Sequence, residues 1–181
     1  MNVANAVSLM RLLAVPLIVW LILTGQMTLA FWLFVAASIS DGVDGFIAKH
    51  FAQTTVLGSY LDPLADKALL VSVYVALGNA GYVALWVVIL VVFRDALIIG
   101  GALLLRLLTR ALVMRPLMVS KINTVAQITL ASTVLAATGL TLDFGEAIVW
   151  LSYLVAVTTV VSGTAYLVGW TRRVAGLEVG G

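Results

Sequence analysis

The chain has 181 residues, of which 63% are hydrophobic and 10% are charged, and its mean hydropathy is +1.17. This is more apolar sequence than the core of a soluble domain of this size requires, and it indicates a polytopic membrane protein. The absence of cysteine excludes disulfides and thiolate metal sites, and the net charge of +2 is too small to indicate a nucleic-acid partner.

Six apolar segments follow one another along the chain, and each is long enough to cross a bilayer as a helix. They predict transmembrane helices at about residues 7–24, 28–49, 60–78, 82–106, 118–139 and 147–170. No repeat, low-complexity tract or second domain is visible. The predicted fold is therefore all-α, with residues 1–181 forming a single transmembrane domain.

Basic residues are confined to one side of this arrangement. The connections at 25–27, 79–81 and 140–146 contain no Lys or Arg, whereas Arg94 lies within the fourth segment. The opposite side carries the other nine basic residues: Arg11, Lys49, Lys67, Arg106, Arg110, Arg115, Lys121, Arg172 and Arg173. By the positive-inside rule, both termini are predicted to be cytoplasmic.

Four of the eight acidic residues lie within 26 positions on the cytoplasmic side. Asp41 and Asp44 are three residues apart at the end of the second helix, and Asp62 and Asp66 are four apart at the start of the third. Each pair shares one helix face, and the short connection allows the two pairs to face each other. Facing carboxylates repel unless some are protonated or cations lie between them. Two hard divalent ions satisfy the site best, and oxygen ligands without Cys favour Mg²⁺ or Mn²⁺.

Other interpretations explain the separate parts of this pattern. Membrane aspartates also form ion paths, which would make the protein a small ion-coupled transporter. Asp62 before Pro63 is a candidate helix cap, and small residues near the acids are common packing positions in membrane helices. Glycine and alanine at fixed offsets from clustered carboxylates favour a metal-dependent enzyme over an ion path.

The combined pattern resembles the signature of the CDP-alcohol phosphatidyltransferase family. The matching positions are Asp41, Asp44, Gly45, Ala48, Gly58, Asp62 and Asp66. Lys49 is the one departure, because the family usually has Arg there, and lysine keeps the charge without the planar two-pronged grip on phosphate. The resemblance implies the family's six-helix fold, a cytoplasmic active site, a homodimer and location in the cell inner membrane if the source is bacterial.

The resemblance also implies a donor, CDP-diacylglycerol, and roles for individual residues. The four aspartates would hold two Mg²⁺ or Mn²⁺ ions, and Asp66 would in addition be the general base. The residues expected to bind CDP-diacylglycerol are Asn5, Ser8, Arg11, Gly45, Ala48, Lys49 and Gly58.

The acceptor is suggested by a later segment, Ser120-Lys121-Ile122-Asn123-Thr124-x2-Gln127. It resembles CMP-forming cardiolipin synthases, whereas phosphatidylglycerophosphate synthases tend to have Gly-Lys-x-Lys-Thr there. Phosphatidylglycerol is therefore the expected acceptor, giving cardiolipin, and glycerol 3-phosphate is the alternative. The residues expected to bind the acceptor are Arg94, Arg115, Lys121 and Thr124. The structural alternative for Arg94 is an ion pair with one of the motif aspartates or with Asp95.

Overall fold

The structure is a computed structural model that describes the backbone of residues 3–51, 58–109 and 118–178. Side chains are described at residues 8–40, 64–101 and 118–171. Within these ranges the fold is helical throughout, as predicted. The six helices are α1 (Val3–Leu23), α2 (Met27–Phe51), α3 (Gly58–Asn79), α4 (Leu85–Thr109), α5 (Met118–Gly139) and α6 (Gly145–Glu178).

The turns after α1, α3 and α5 share one geometry. In each, an amide N–H bonds a carbonyl five residues back, as in Gln26 to Leu21 at 2.8 Å and Tyr82 to Leu77 at 2.9 Å. This Schellman arrangement requires a left-handed residue just past the helix end. Gly25 and Gly81 supply it with φ of 77° and 79°. These tight turns join consecutive helices at one end of the bundle, so the end of α2 and the start of α3 lie at the opposite end.

The turn after α5 has the same type of hydrogen bond, but its left-handed residue is a threonine and not a glycine. Leu142 N–H bonds the Ala137 carbonyl at 3.1 Å, and Thr141 adopts the left-handed conformation with φ of 53°. A β-branched residue is strained there, because its Cβ crowds the backbone. This turn is therefore the least favourable of the three.

The core is formed by large side chains from several helices. Ile18 of α1, Phe34 of α2, Tyr74 of α3 and Leu130 of α5 are fully buried. Helix α1 packs against α2 and α3, α5 packs against α2 and α6, and α4 packs against α3 and α6. Because lipid is as apolar as these side chains, close van der Waals packing and interhelical hydrogen bonds hold such helices together.

The end of α5 lies close to the start of α2. The Thr28 hydroxyl donates to the Gly139 carbonyl at 2.6 Å. A Cβ at position 139 would lie 2.7 Å from the Thr28 backbone nitrogen. Glycine is required here because the neighbouring atoms belong to the backbone and cannot move aside independently.

Large apolar side chains are exposed on every helix of the bundle. Examples are Leu13 at 64%, Met118 at 70% and Trp150 at 74% exposure. Among the residues with described side chains, Gly145–Thr171 is long and apolar enough to cross a membrane, and Ser8–Leu23 and Met27–Ser40 are apolar but shorter. The helix count agrees with the sequence prediction, while six membrane crossings remain a prediction.

Candidate active site

The four motif aspartates lie on α2 and α3. The end of α2 and the start of α3 lie at the same end of the bundle. Asp41 and Asp44 lie on the second half of α2, and Asp62 and Asp66 lie on the first half of α3. Because α3 begins at Gly58, Asp62 lies inside the helix, and the interpretation of Asp62 as a helix cap is wrong. Asp66 alone among the four has a described side chain, which is half-buried.

The side chains of the other three aspartates lie outside the described residues, so the facing of the two pairs stays a prediction. The same holds for Asn5, Gly45, Ala48, Lys49, Gly58 and Arg115. Within the described side chains, no group of three or more His, Cys, Asp or Glu is brought together. The donor set fits Mg²⁺ or Mn²⁺, since Asp66 places a hard carboxylate on α3 at the end of the bundle where the other acid-bearing segments lie.

Helix α1 lies beside both acid-bearing helices and carries two of the predicted nucleotide-site residues. Ser8 and Arg11 are buried, at 3% and 4% exposure, although both are polar. A buried arginine in a membrane helix requires anionic partners. Arg11 lies on α1, which packs against both α2 and α3, and this position suits a role beside carboxylates and phosphate.

A second polar group, the Arg94 cluster, joins α3, α4, α5 and α6. It consists of Lys67, Arg94, Asp95, Ser120, Ser162 and Tyr166.

Arg94 is only 2% exposed, and both of its terminal nitrogens donate hydrogen bonds to neighbouring side chains. One of them donates to Asp95 Oδ1 at 2.6 Å, and the other donates to the hydroxyls of Ser120 and Ser162 at 2.6 Å each. The guanidinium carbon lies 6.0 Å from the centre of the Tyr166 ring. The ion pair between Arg94 and Asp95 that the sequence offered as an alternative is therefore observed, and acceptor binding by Arg94 stays a prediction.

Lys67 enters this cluster from α3, directly after Asp66. Its ammonium nitrogen lies 3.0 Å from Asp95 Oδ1, the same oxygen that accepts from Arg94. Sequence reasoning placed Lys67 on the cytoplasmic side but gave it no role. Its charge inside an apolar helix was the available signal, since such a charge needs a partner.

The segment that suggested the acceptor makes helix contacts on its buried face. Asn123 is fully buried, and its side-chain oxygen accepts from the hydroxyls of Thr158 at 2.8 Å and Thr159 at 2.9 Å on α6. The Gln127 carbonyl accepts from the Tyr74 hydroxyl of α3 at 3.1 Å. These two residues therefore fix α5 against its neighbours.

The two predicted acceptor residues on the same segment differ from the buried pair. Lys121 is exposed, and Thr124 is half-buried with its hydroxyl donating to the Ser120 carbonyl at 3.1 Å. Of the two, Lys121 has the accessibility that a substrate contact requires.

Comparison with known proteins identifies relatives named as phosphatidylglycerophosphate synthases and as CMP-forming cardiolipin synthases. The chain is 35% identical over 189 residues to CDP-diacylglycerol--glycerol-3-phosphate 3-phosphatidyltransferase 1, chloroplastic, from Oryza sativa subsp. japonica, covering 92% of this chain and 56% of the rice protein. It is 32% identical over 152 residues to the human cardiolipin synthase (CMP-forming), covering 75% of this chain and 50% of the human protein. The chain thus spans about half the length of these curated relatives.

A sequence profile of the family described as CDP-alcohol phosphatidyltransferase matches residues 1–161. The match includes all four motif aspartates and the Arg94 cluster apart from Ser162 and Tyr166. The chain therefore belongs to the CDP-alcohol phosphatidyltransferase family, whose members are integral membrane enzymes.

Proposed function

We propose that the protein transfers the phosphatidyl group of CDP-diacylglycerol to the hydroxyl of a glycerol-containing acceptor and releases CMP. The observation that carries this proposal is the four-aspartate motif, whose members lie on the second half of α2 and the first half of α3 within the matched region. A transporter would not need the glycine and alanine positions of the motif. The family match likewise favours an enzyme over an ion path.

In the proposed reaction, the acceptor oxygen forms a bond to the phosphorus that carries diacylglycerol, and the bond from that phosphorus to the CMP oxygen breaks. Asp41, Asp44, Asp62 and Asp66 would hold two Mg²⁺ or Mn²⁺ ions. When bound, these ions neutralise the pyrophosphate and the charge on the leaving CMP. Asp66 accepts the proton of the acceptor hydroxyl.

Residues of α1 would bind the nucleotide half of the donor. Arg11 provides a buried positive charge, and Ser8 lies about one helical turn away. Asn5, Gly45, Ala48, Lys49 and Gly58 complete the proposed CDP-diacylglycerol site. The acyl chains would remain in lipid beside the exposed apolar surface of the helices.

Phosphatidylglycerol is the first candidate acceptor, with cardiolipin as the product. The form of the segment from Ser120 to Gln127 and the human relative support it. Glycerol 3-phosphate is the second candidate, supported by the rice relative at 35% identity. Arg94, Arg115, Lys121 and Thr124 remain the proposed acceptor-binding residues.

The test is CMP release by purified protein supplied with CDP-diacylglycerol, Mg²⁺ or Mn²⁺, and one acceptor at a time. CMP with phosphatidylglycerol alone supports cardiolipin synthesis, and CMP with glycerol 3-phosphate alone supports the second candidate. No CMP with any alcohol acceptor, including serine and inositol phosphate, would remove the transferase proposal.

A metal-ligand variant gives a second test. Asp62→Asn should lose metal-dependent turnover by at least about 100-fold while the protein stays folded, because one charged ligand of the ions is lost. The matched control is Asp143→Asn, which changes an exposed aspartate at the opposite end of the bundle. Near-normal turnover of Asp62→Asn would contradict the ligand role.

We also propose that the active site and both termini face the cytoplasm and that the protein is a homodimer. Because the chain has no cysteine, single introduced cysteines report orientation directly. Asp143→Cys should react with an impermeant maleimide on intact cells, and Thr171→Cys should react after permeabilisation alone. The reverse pattern would overturn the orientation, and a single subunit mass in detergent by light scattering would overturn the dimer.

A further inference from the structure

We propose that Lys67 is an additional substrate-contacting residue of the transferase site, and that Asp95 positions its ammonium group to bind a substrate phosphate. This inference rests on the proposed function. It concerns two residues to which the four-aspartate motif assigns no role. The phosphate belongs either to the donor pyrophosphate or to the acceptor, and the experiment distinguishes these sources.

Lys67 is placed where a phosphate contact is needed. It follows Asp66 on α3, and its side chain is 20% exposed, whereas that of Asp95 is 1% exposed. The Lys67 side chain is therefore partly accessible, whereas the carboxylate that it contacts is buried. An ammonium group has three hydrogen-bond donors. Among the described residues, Lys67 directs one of them to a protein acceptor, Asp95 Oδ1 at 3.0 Å.

The charge of the cluster leaves Lys67 in excess. Arg94 and Lys67 are cationic and Asp95 is anionic, so the three together carry one net positive charge. Arg94 contacts Asp95 Oδ1 at 2.6 Å and already neutralises it. A second cation on the same oxygen is not required to offset that carboxylate. Counted over these three residues alone, the excess positive charge favours an anionic ligand beside Lys67, because a charge in an apolar environment is costly without a counter-charge.

Asp95 is held in a manner suited to positioning. Its partner Arg94 is fixed by hydroxyls from two further helices, Ser120 on α5 and Ser162 on α6. The Asp95 carboxylate is thus bound to a guanidinium group that is itself held in position. Its second oxygen is buried and has no hydrogen-bond partner among the described residues, so the contact to Lys67 is made entirely through the shared oxygen.

A purely structural ion pair is the competing explanation, and it makes a different prediction. Such a pair would contribute to folding and leave substrate affinities unchanged. A phosphate contact would change the KM for one substrate, and a conservative replacement would restore it in part. The comparison therefore requires affinity measurements together with stability.

The variants are Lys67→Gln, Lys67→Arg, Asp95→Asn and Asp95→Glu in the full chain. Thr164→Val is the control, because this exposed hydroxyl bonds carbonyls of its own helix only. The measurements are kcat, the KM for CDP-diacylglycerol, the KM for the acceptor, the melting temperature in detergent, and CDP binding by calorimetry in the presence of Ca²⁺.

Lys67→Gln should raise one KM by about 10- to 100-fold, because a hydrogen bond to a charged group is lost. Lys67→Arg should recover part of this loss, since the positive charge remains. Asp95→Asn should raise the same KM by less than Lys67→Gln does, and Asp95→Glu should reverse the change in part. Thr164→Val should match the unmodified protein.

The two phosphate sources give separate results. A higher KM for CDP-diacylglycerol with weaker CDP binding identifies the donor pyrophosphate. A higher KM for the acceptor with unchanged CDP binding identifies the acceptor phosphate. Both KM values and CDP affinity within twofold of the unmodified protein, with a lower melting temperature, would overturn the inference and leave a structural ion pair.

Failure of the proposed function would be recognised in the unmodified protein, which would release no CMP. Failure of this inference would be recognised when the unmodified protein is active and the Lys67 variants keep its affinities. If Lys67→Gln does not fold, the test is the ratio of the KM for CDP-diacylglycerol to the KM for the acceptor, compared between Lys67→Arg and the unmodified protein. A changed ratio supports the contact, and an unchanged ratio opposes it.

Discussion

Asn123→Ala tests whether the α5 segment that suggests the acceptor determines helix packing or substrate choice. The Asn123 side chain is fully buried, and its oxygen accepts hydrogen bonds from two consecutive hydroxyls of α6. Both bonds disappear in the alanine variant. The expected result is a less stable protein with unchanged preference between acceptors.

The magnitude follows from what each hydroxyl can do without Asn123. The Thr158 hydroxyl also lies 2.9 Å from the Leu154 carbonyl of its own helix, so it keeps a partner. Among the described residues, Thr159 has Asn123 as its one recorded side-chain hydrogen-bond partner. Interhelical hydrogen bonds in membrane proteins contribute about 0.6 kcal/mol on average and up to about 1.7 kcal/mol. We therefore expect a loss of about 1–2 kcal/mol, most of it through Thr159.

The assay is reversible unfolding in mixed micelles, combined with CMP release from each acceptor. Thr159→Val alone and together with Asn123→Ala completes a double-mutant cycle. The coupling energy should be about 0.6–1.7 kcal/mol if the two side chains interact as the structure describes.

A different outcome would refute the packing interpretation. Unchanged stability of Asn123→Ala together with a severalfold change in the KM for one acceptor would assign this side chain to substrate recognition. A coupling energy near zero with Thr159→Val would show that the two groups do not interact. Either result would require another partner for the buried amide.

Three further substitutions test the helix contacts and turns by unfolding in detergent. Gly139→Ala should lower the free energy of unfolding by about 1–3 kcal/mol, because the new Cβ meets the Thr28 backbone. The control Gly100→Ala should not lower it, because no atom lies within 4 Å of a Cβ at that position. Equal effects of the two substitutions would contradict the close approach of α5 to α2. Thr141→Gly should raise stability by about 1 kcal/mol by relieving the left-handed strain, and a loss would argue against that conformation. Tyr74→Phe should cost about 0.5–1.5 kcal/mol and Tyr74→Ala about 3–5 kcal/mol, and equal losses would show that the ring is not packed.

The six helices were predictable because each contains a long apolar segment. Some of the helix ends were not predictable in this way. The predicted sixth segment stops near residue 170, but α6 continues to Glu178. Helical hydrogen bonding does not require apolar side chains, so Arg172 and Arg173 continue the helix beyond the apolar segment. The start of α3 was predicted at about residue 60 and is observed at Gly58.

The candidate site also contains contacts that the sequence predicts and contacts that it does not. The need of Arg94 for an acidic partner was predictable from the sequence, which left Asp95 and the motif aspartates as candidates, and the structure shows Asp95. The contact from Lys67 to Asp95 spans 28 residues and joins two helices. It depends on the rotation of α3 and α4 about their axes, which apolar length does not specify.

The contacts of Arg94 also bear on how the chain is assembled during synthesis. When α4 enters the bilayer, its guanidinium has a neighbouring carboxylate on the same helix, and Lys67 has already been made as part of α3. The two serine hydroxyls arrive afterwards, with α5 and then α6. A nascent chain ending before Ser162 would therefore contain an arginine that is paired with Asp95 but lacks one of its two hydroxyl partners, and α6 would complete the hydrogen bonds that join it to the preceding helices.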